Sequence, residues 1–211
     1  MLNRGSVLFE LKSALATVKS ARDPKTQAIF TLRGKVLNTE NLNMEEILKN
    51  LEFRELIQCL ETGFGEDFDI RRLRYKKIVI ATDADFDGSY IRLGLLTFFA
   101  RHLPEIIKQG HLYFAAAPLF KIVTKNQTIY CRNKKILDDT LPKIKGEYMI
   151  KRFKGLGEMD AIDFKNHVMS PNSGALIQIV PKDFERLTEI IGKLQGKSSE
   201  PRKIFIEKGE I

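Results

Sequence analysis

Lys76-Lys77-Ile78-Val79-Ile80-Ala81-Thr82-Asp83-Ala84-Asp85-Phe86-Asp87-Gly88 is the stretch that decides the fold. Its short apolar run, flanked by charge, reads as a buried strand. The run ends in Asp83, Asp85 and Asp87, at every second position, followed by Gly88. Side chains two apart on an extended chain share a face, so the spacing predicts carboxylates converging at one strand end. Carboxylates that close repel, and a hard divalent cation with oxygen ligands, typically magnesium, relieves the repulsion. The same Asp-x-Asp-x-Asp-Gly pattern opens an EF-hand calcium loop. That loop needs an acid at its twelfth position, here Gly94, and a helix before it, where this sequence has a strand pattern. A solvated acidic turn is the other reading that this stretch alone leaves open.

Working outward, Val7-Leu8-Phe9-Glu10 reads as a second short strand closed by an acid. If the two runs are parallel neighbours, about 4.8 Å apart, Glu10 and Asp83 face one crevice and can share a magnesium ion. Leu11 to Lys19 has helical spacing, Ser20 to Thr26 is a polar loop, and Gln27 to Leu37 alternates as a strand until Gly34 breaks it. Met44 to Glu61 reads as one amphipathic helix capped by Asn43, with Ile47, Leu48, Leu51, Leu56, Ile57 and Leu60 inward. Tyr90 to Gln109 is helical, with Pro104 as a kink or a second start. His111 to Ala117, Phe120 to Thr124, Thr128 to Cys131, Tyr148 to Phe153 and Leu176 to Val180 read as strands. Met159 to Met169 and Phe184 to Leu194 read as helices. Alternating strands and helices favour an α/β fold with a largely parallel sheet, whose crevice lies at the carboxyl ends of the strands.

The 211 residues suffice for one large or two small domains. A net charge of +8 suits a polyanionic partner. Cys59 and Cys131 stand far apart with no metal spacing, which fits a reducing setting. No apolar run is long enough to span a bilayer and the N-terminus shows no signal-peptide pattern, so the expectation is a cytoplasmic protein with no membrane partner. Gly192 to Ser198 fails as a phosphate-binding loop because its first glycine is out of register and a helix, not a strand, precedes it.

Thr82-Asp83-Ala84-Asp85-Phe86-Asp87-Gly88-Ser89-Tyr90-Ile91-Arg92, with Leu95 to Phe99 after it, resembles the magnesium motif of bacterial type IIA DNA topoisomerase B subunits, those of gyrase and topoisomerase IV. Gln27-Ala28-Ile29 with Leu32-Arg33-Gly34-Lys35-Val36-Leu37-Asn38 is similar to the same family. So are Ala117-Pro118-Leu119-Phe120-Lys121, Arg152-Phe153-Lys154-Gly155-Leu156-Gly157-Glu158-Met159 and Glu200-Pro201-Arg202-Lys203. Their order and spacing hold over nearly the whole chain.

The resemblance implies a TOPRIM domain, a Rossmann-like, mostly parallel sheet flanked by helices, over residues 1–125, and a smaller α+β tail region over 126–211. It implies Mg2+ as cofactor, with Glu10, Asp83, Asp85 and Asp87 as ligands and Glu10, Asp83 and Asp85 in catalysis. Arg33, Lys35 and Lys154 would face DNA. The implied partners are double-stranded DNA and an A subunit that carries the attacking tyrosine, in an A2B2 holoenzyme. The family's ATPase region has no counterpart in this sequence, so ATP turnover is not expected of this chain alone. Leu11 and Lys12 stand where the family's first motif has glycine and aspartate after the glutamate. A second reading follows from that departure: a module that keeps the fold and binds DNA or the A subunit without cleaving.

Overall fold

The computed structural model describes residues 4–11, 14–34, 36–170 and 173–209, the side chains of residues 4 and 7–11 excepted. Its main sheet has five strands among the described residues. The strands are β1 (Arg4–Leu11), β2 (Gln27–Leu32), β3 (Tyr75–Ala81), β4 (Leu112–Ala115) and, from far along the chain, β8 (Leu176–Gln178). β1 pairs in parallel with both β2 and β3, and β3 with β4, while β8 closes the edge antiparallel to β4.

The β3 run is apolar throughout because both its faces are covered. Ile78 and Ile80 face one core, and Val79 and Ala81 the other. The first core is built by helices α2 (Met44–Lys49), α3 (Leu51–Leu60), α4 (Phe86–His102), α5 (Pro104–Lys108) and α8 (Phe184–Gln195), with Phe98 and Phe99 fully enclosed. The second is covered by α1 (Leu15–Ala21) and α7 (Ala161–Phe164), with Val18 and Phe164 at its centre. Beyond the main sheet lies a three-stranded antiparallel sheet of order β6-β5-β7, made of β5 (Phe120–Thr124), β6 (Thr128–Cys131) and β7 (Tyr148–Arg152). It packs a small core of Ile122, Cys131 and Leu137, the last from α6 (Lys134–Thr140). Residue 125 lies in the turn of the β5–β6 hairpin, and the chain later returns to the main sheet as β8. Among the described residues neither Cys59 nor Cys131 is in a disulfide, and Cys59 Sγ lies 3.6 Å from the Tyr75 hydroxyl.

Several elements differ from the sequence expectation. The helix read over 44–61 is two helices. Asn50 leaves helical geometry at ψ 121° and its side chain accepts the Phe53 N–H at 3.1 Å, so it caps a new helix whose face is rotated from the first. Leu51 is therefore 46% exposed rather than in the core. Asn43 caps the first helix as expected, in a capping box with Glu46. The helix expected over 11–19 is shifted, Leu11 ending β1 and the helix running from Leu15 to Ala21. Pro104 starts a second helix, where its missing N–H costs nothing. After Phe164 the expected helix widens into a π-helical turn, Lys165–Met169. A helix not read from the sequence, α9 (Glu200–Glu207), follows Ser199 with Pro201 in its first turn.

Candidate metal and nucleic-acid site

The carboxyl ends of β2, β1, β3 and β4 share one edge of the sheet, because the strands are parallel. Arg33 follows Leu32 there, Glu10 pairs in register with Thr31 on one side and Ala81 on the other, and Asp83 lies two residues beyond Ala81. The backbone thus sets Glu10 beside the strand that leads to Asp83, at the same end. The Glu10 carboxylate, on which a shared cation depends, lies outside the described side chains, and Lys35 lies outside the described residues.

The acidic triplet is not an extended face, which corrects the geometry expected from its spacing. The strand ends at Ala81 and the helix begins at Phe86, four residues before the expected Tyr90. Asp85 is the N-cap of α4, its Oδ1 accepting the Gly88 N–H at 2.7 Å, and Asp87 sits in the first helical turn. The physical reason is that an aspartate three residues before a free amide is a cap, and the orphan N–H groups of a helix start outweigh extended alternation. A carboxylate in this first turn also faces the positive end of the helix dipole. Asp85, Phe86 and Asp87 are exposed, and Phe86 is 85% so.

Asp83 is held differently. Its Oδ1 accepts the Leu156 N–H at 2.7 Å, from the break after β7. Two glycines permit its position. A Cβ on Gly155 would lie 3.0 Å from Asp83 Oδ1, and a Cβ on Gly88 would run into the Asp83 carbonyl oxygen. Neither glycine has a positive φ, so close approach, not backbone freedom, is the requirement. Beside this contact is a cavity of about 190 Å³ whose lining includes Thr82, Arg92, Arg132 and Lys154. Thr82 is buried, and its hydroxyl has no hydrogen-bond partner among the described residues. Arg92 is steadied by Ser89 Oγ at 3.0 Å, and Arg132 by the Gly174 carbonyl at 2.6 Å. Lys154 donates its backbone N–H to Glu158 Oε2 at 2.9 Å, and its side chain is exposed. Arg33 is exposed too, and its backbone N–H donates to Glu52 Oε1.

Among the described residues none of Asp83, Asp85 and Asp87 is in an ion pair, and no three His, Cys, Asp or Glu side chains are placed to hold a metal ion. The donors at this edge are oxygens only, and Asp83 Oδ2, the second Asp85 oxygen and the whole Asp87 carboxylate accept no described hydrogen bond. Un-neutralised carboxylates with free oxygens suit a hard divalent cation, so the residue types fit magnesium. Sequence reasoning missed the Leu156 amide and Arg132 as parts of this region, and it quoted Arg92 in the acidic motif without giving it a role. Leu156 carried a signal in the Gly155 and Gly157 that bracket it, and Arg132 carried none. The histidines have structural tasks: His102 bonds the Thr39 carbonyl and His111 the Lys76 carbonyl, while His167 stacks on Tyr130.

The family profile described as "Toprim domain" matches residues 6–117, and that described as "DNA gyrase B subunit, carboxyl terminus" matches 145–207. The DNA gyrase B subunit of Treponema pallidum is 40% identical over 206 residues, covering 97% of this chain and 32% of the relative. That of Staphylococcus aureus is 42% identical over 210 residues, with the same coverage of 97% and 32%. The chain thus spans about a third of the length of the curated relatives it matches.

Proposed function

The chain belongs to the Toprim domain family, and from that premise we propose that it is the magnesium-binding part of a type IIA DNA topoisomerase B subunit, supporting double-strand cleavage and religation with an A-subunit tyrosine. The names of the relatives favour gyrase over topoisomerase IV. The observation that carries the reading is the placement of Asp83: at the carboxyl edge of a parallel sheet, beside the strand of Glu10, between two glycines and under the Leu156 amide.

Asp83, Asp85, Asp87 and Glu10 would hold magnesium. When bound, magnesium would supply positive charge to the non-bridging and leaving oxygens of the phosphodiester. With Oδ1 engaged by Leu156, Asp83 offers Oδ2 in a fixed orientation. Asp85 caps its helix with one oxygen and keeps the other for a ligand. Glu10, whose strand ends at the same edge, is proposed as the group that would pass a proton to the leaving sugar oxygen. Arg33, Lys35 and Lys154 are proposed to bind the DNA backbone, which the net charge of +8 favours. The partners are then double-stranded DNA and the A subunit. No described helix is long and apolar enough to cross a membrane.

Plasmid cleavage by the chain joined to the rest of its B subunit, with the A subunit and magnesium, tests the reading. Linear product is expected from the wild type and none from Asp83→Ala, whose fold survives because a strand-end carboxylate leaves no cavity in the core. Cleavage by Asp83→Ala at the wild-type rate overturns the site. A wild type that shifts DNA in a gel without cutting it identifies the non-cleaving module instead.

A further inference from the structure

The segment that presents the Leu156 amide to Asp83 is fastened at both ends to the same strand. At one end Arg152 pairs with Phe120, and the Phe153 N–H bonds the Leu119 carbonyl at 2.9 Å. At the other end α7 carries Asp163, which is 7% exposed. Its Oδ2 accepts from Lys121 Nζ at 2.6 Å and its Oδ1 from the Tyr130 hydroxyl at 2.6 Å. Lys121 and Tyr130 are cross-strand partners on β5 and β6. Asp160 adds a longer contact to Lys121 at 3.7 Å. The π-helical turn after α7 carries His167, whose ring stacks on Tyr130 with centroids 3.7 Å apart.

We propose that Asp163 is a positioning residue for Asp83: by anchoring α7 to Lys121 and Tyr130 it holds the Gly155–Leu156 backbone against the Asp83 carboxylate, and so sets the orientation in which Asp83 binds a divalent cation. The inference rests on the metal-binding reading above. The linkage is short. Only Met159 and Asp160 lie between Glu158 and Ala161, the first residue of α7, and Glu158 closes the loop on itself through Lys154 and Gly155. A movement of α7 is therefore passed to the Leu156 amide rather than absorbed in slack chain. The pair stays charged at neutral pH. The hydrogen bond to Asp163 holds Lys121 above its ordinary value. Burial pushes Asp163 upward, but the Lys121 and Tyr130 hydrogen bonds outweigh it and leave the carboxyl below its ordinary value. Lys121 is half-buried, so removing the Asp163 charge leaves its ammonium only the longer Asp160 contact, and the anchor is sensitive to a single substitution.

The test is carried out on the full 211-residue chain, with Mn2+ as a paramagnetic stand-in for magnesium and amide hydrogen exchange read at Leu156. Asp163→Asn keeps the shape and removes the charge. It is expected to weaken Mn2+ binding about tenfold, the lower range for partners that orient a metal ligand. It should also speed exchange at Leu156 while leaving Ile78 to Ile80 as protected as in the wild type. Asp163→Glu should recover part of both losses. Tyr130→Phe keeps the ring and removes one hydrogen bond, and should show a smaller rise in Leu156 exchange even if Asp163→Asn does not fold. Wild-type Leu156 exchange in both variants overturns the inference, as does wild-type Mn2+ affinity in a folded Asp163→Asn. A wild type that binds no Mn2+ overturns the parent reading instead, and the exchange at Leu156 still decides whether Asp163 holds the segment.

Discussion

Asp83 and Asp85 are two residues apart in the sequence and are held by opposite means. Asp85 is fixed by the chain's own next turn, through the Gly88 N–H three residues on. Asp83 is fixed by Leu156, 73 residues away, on a segment that reaches it only because a second sheet and α7 are in place. One half of the site is set by a local turn, and the other by packing together two segments that are far apart in the chain. In the proposed metal site Asp85 would supply its ligand from the local half, while the orientation of Asp83 comes from the distant half. A metal site built this way depends on long-range packing, which couples ligand geometry to the position of neighbouring parts.

Gly88 is where the two means meet, and it gives the largest expected effect. In Gly88→Ala the added Cβ runs into the Asp83 backbone carbonyl, which cannot rotate aside. Overpacking of that kind costs about 3 kcal/mol, and the better helix propensity of alanine returns about 1 kcal/mol. The net loss of about 2 kcal/mol lowers the melting temperature by roughly 4 to 8 °C for a chain of this size. Calorimetry checks it, and an unchanged melting temperature would mean that the helix start and Asp83 are not packed as described.

Asp85→Asn separates capping from ligation. Asparagine caps as well as aspartate, and the lost interaction with the helix dipole is a fraction of a kcal/mol, so stability should move by less than about 0.5 kcal/mol. The carboxylate is nonetheless gone, and Mn2+ affinity should fall while the thermal unfolding curve stays in place. A variant that loses stability and keeps its affinity would make Asp85 a cap and nothing more.

The same contrast explains what is legible in the sequence. The strand at Ile78–Ala81, the strand with Glu10 near its end and the Asn43 cap are set by local pattern and stand where the pattern puts them, while the parallel pairing of the two strands comes from the sheet's topology. The acid geometry departs from the pattern because alternation stops at Ala81, and the signal that stops it, Asp85 three residues before Gly88, is present in the same letters. The split at Asn50 escapes the pattern for a related reason: the apolar spacing runs smoothly across a residue whose side chain captures the next helix's amide. The Leu156 contact and the Lys121–Asp163–Tyr130 anchor are not legible at all, since the distances that make them come from sheet topology rather than spacing. Glycines at positions 155 and 157 say only that the backbone does something unusual there.

The distant half should also respond to alkali in a way the local half does not. Burial, followed by the hydrogen bond to Asp163, pushes the Tyr130 phenol from 10.0 up to about 12. Its folded value is above its unfolded value, so the protonated form is the one the fold favours. The contribution is complete below pH 10.0 and is lost as pH rises through about 12. An ionised Tyr130 would face Asp163 with charge against charge instead of a hydrogen bond. Lys121 moves in the same sense, since its value is raised by the hydrogen bond to Asp163. The effect is the smallest of those considered because Tyr130 remains partly exposed and water screens it. It is isolated by difference. Urea unfolding of wild type and Tyr130→Phe across this range should give a gap in stability that is widest on the neutral side and closes toward the alkaline end, because the other lysines titrate alike in both proteins. Curves that stay parallel throughout would show that the Tyr130 hydroxyl is not bonded to Asp163 in solution, and the anchor would then rest on Lys121 alone.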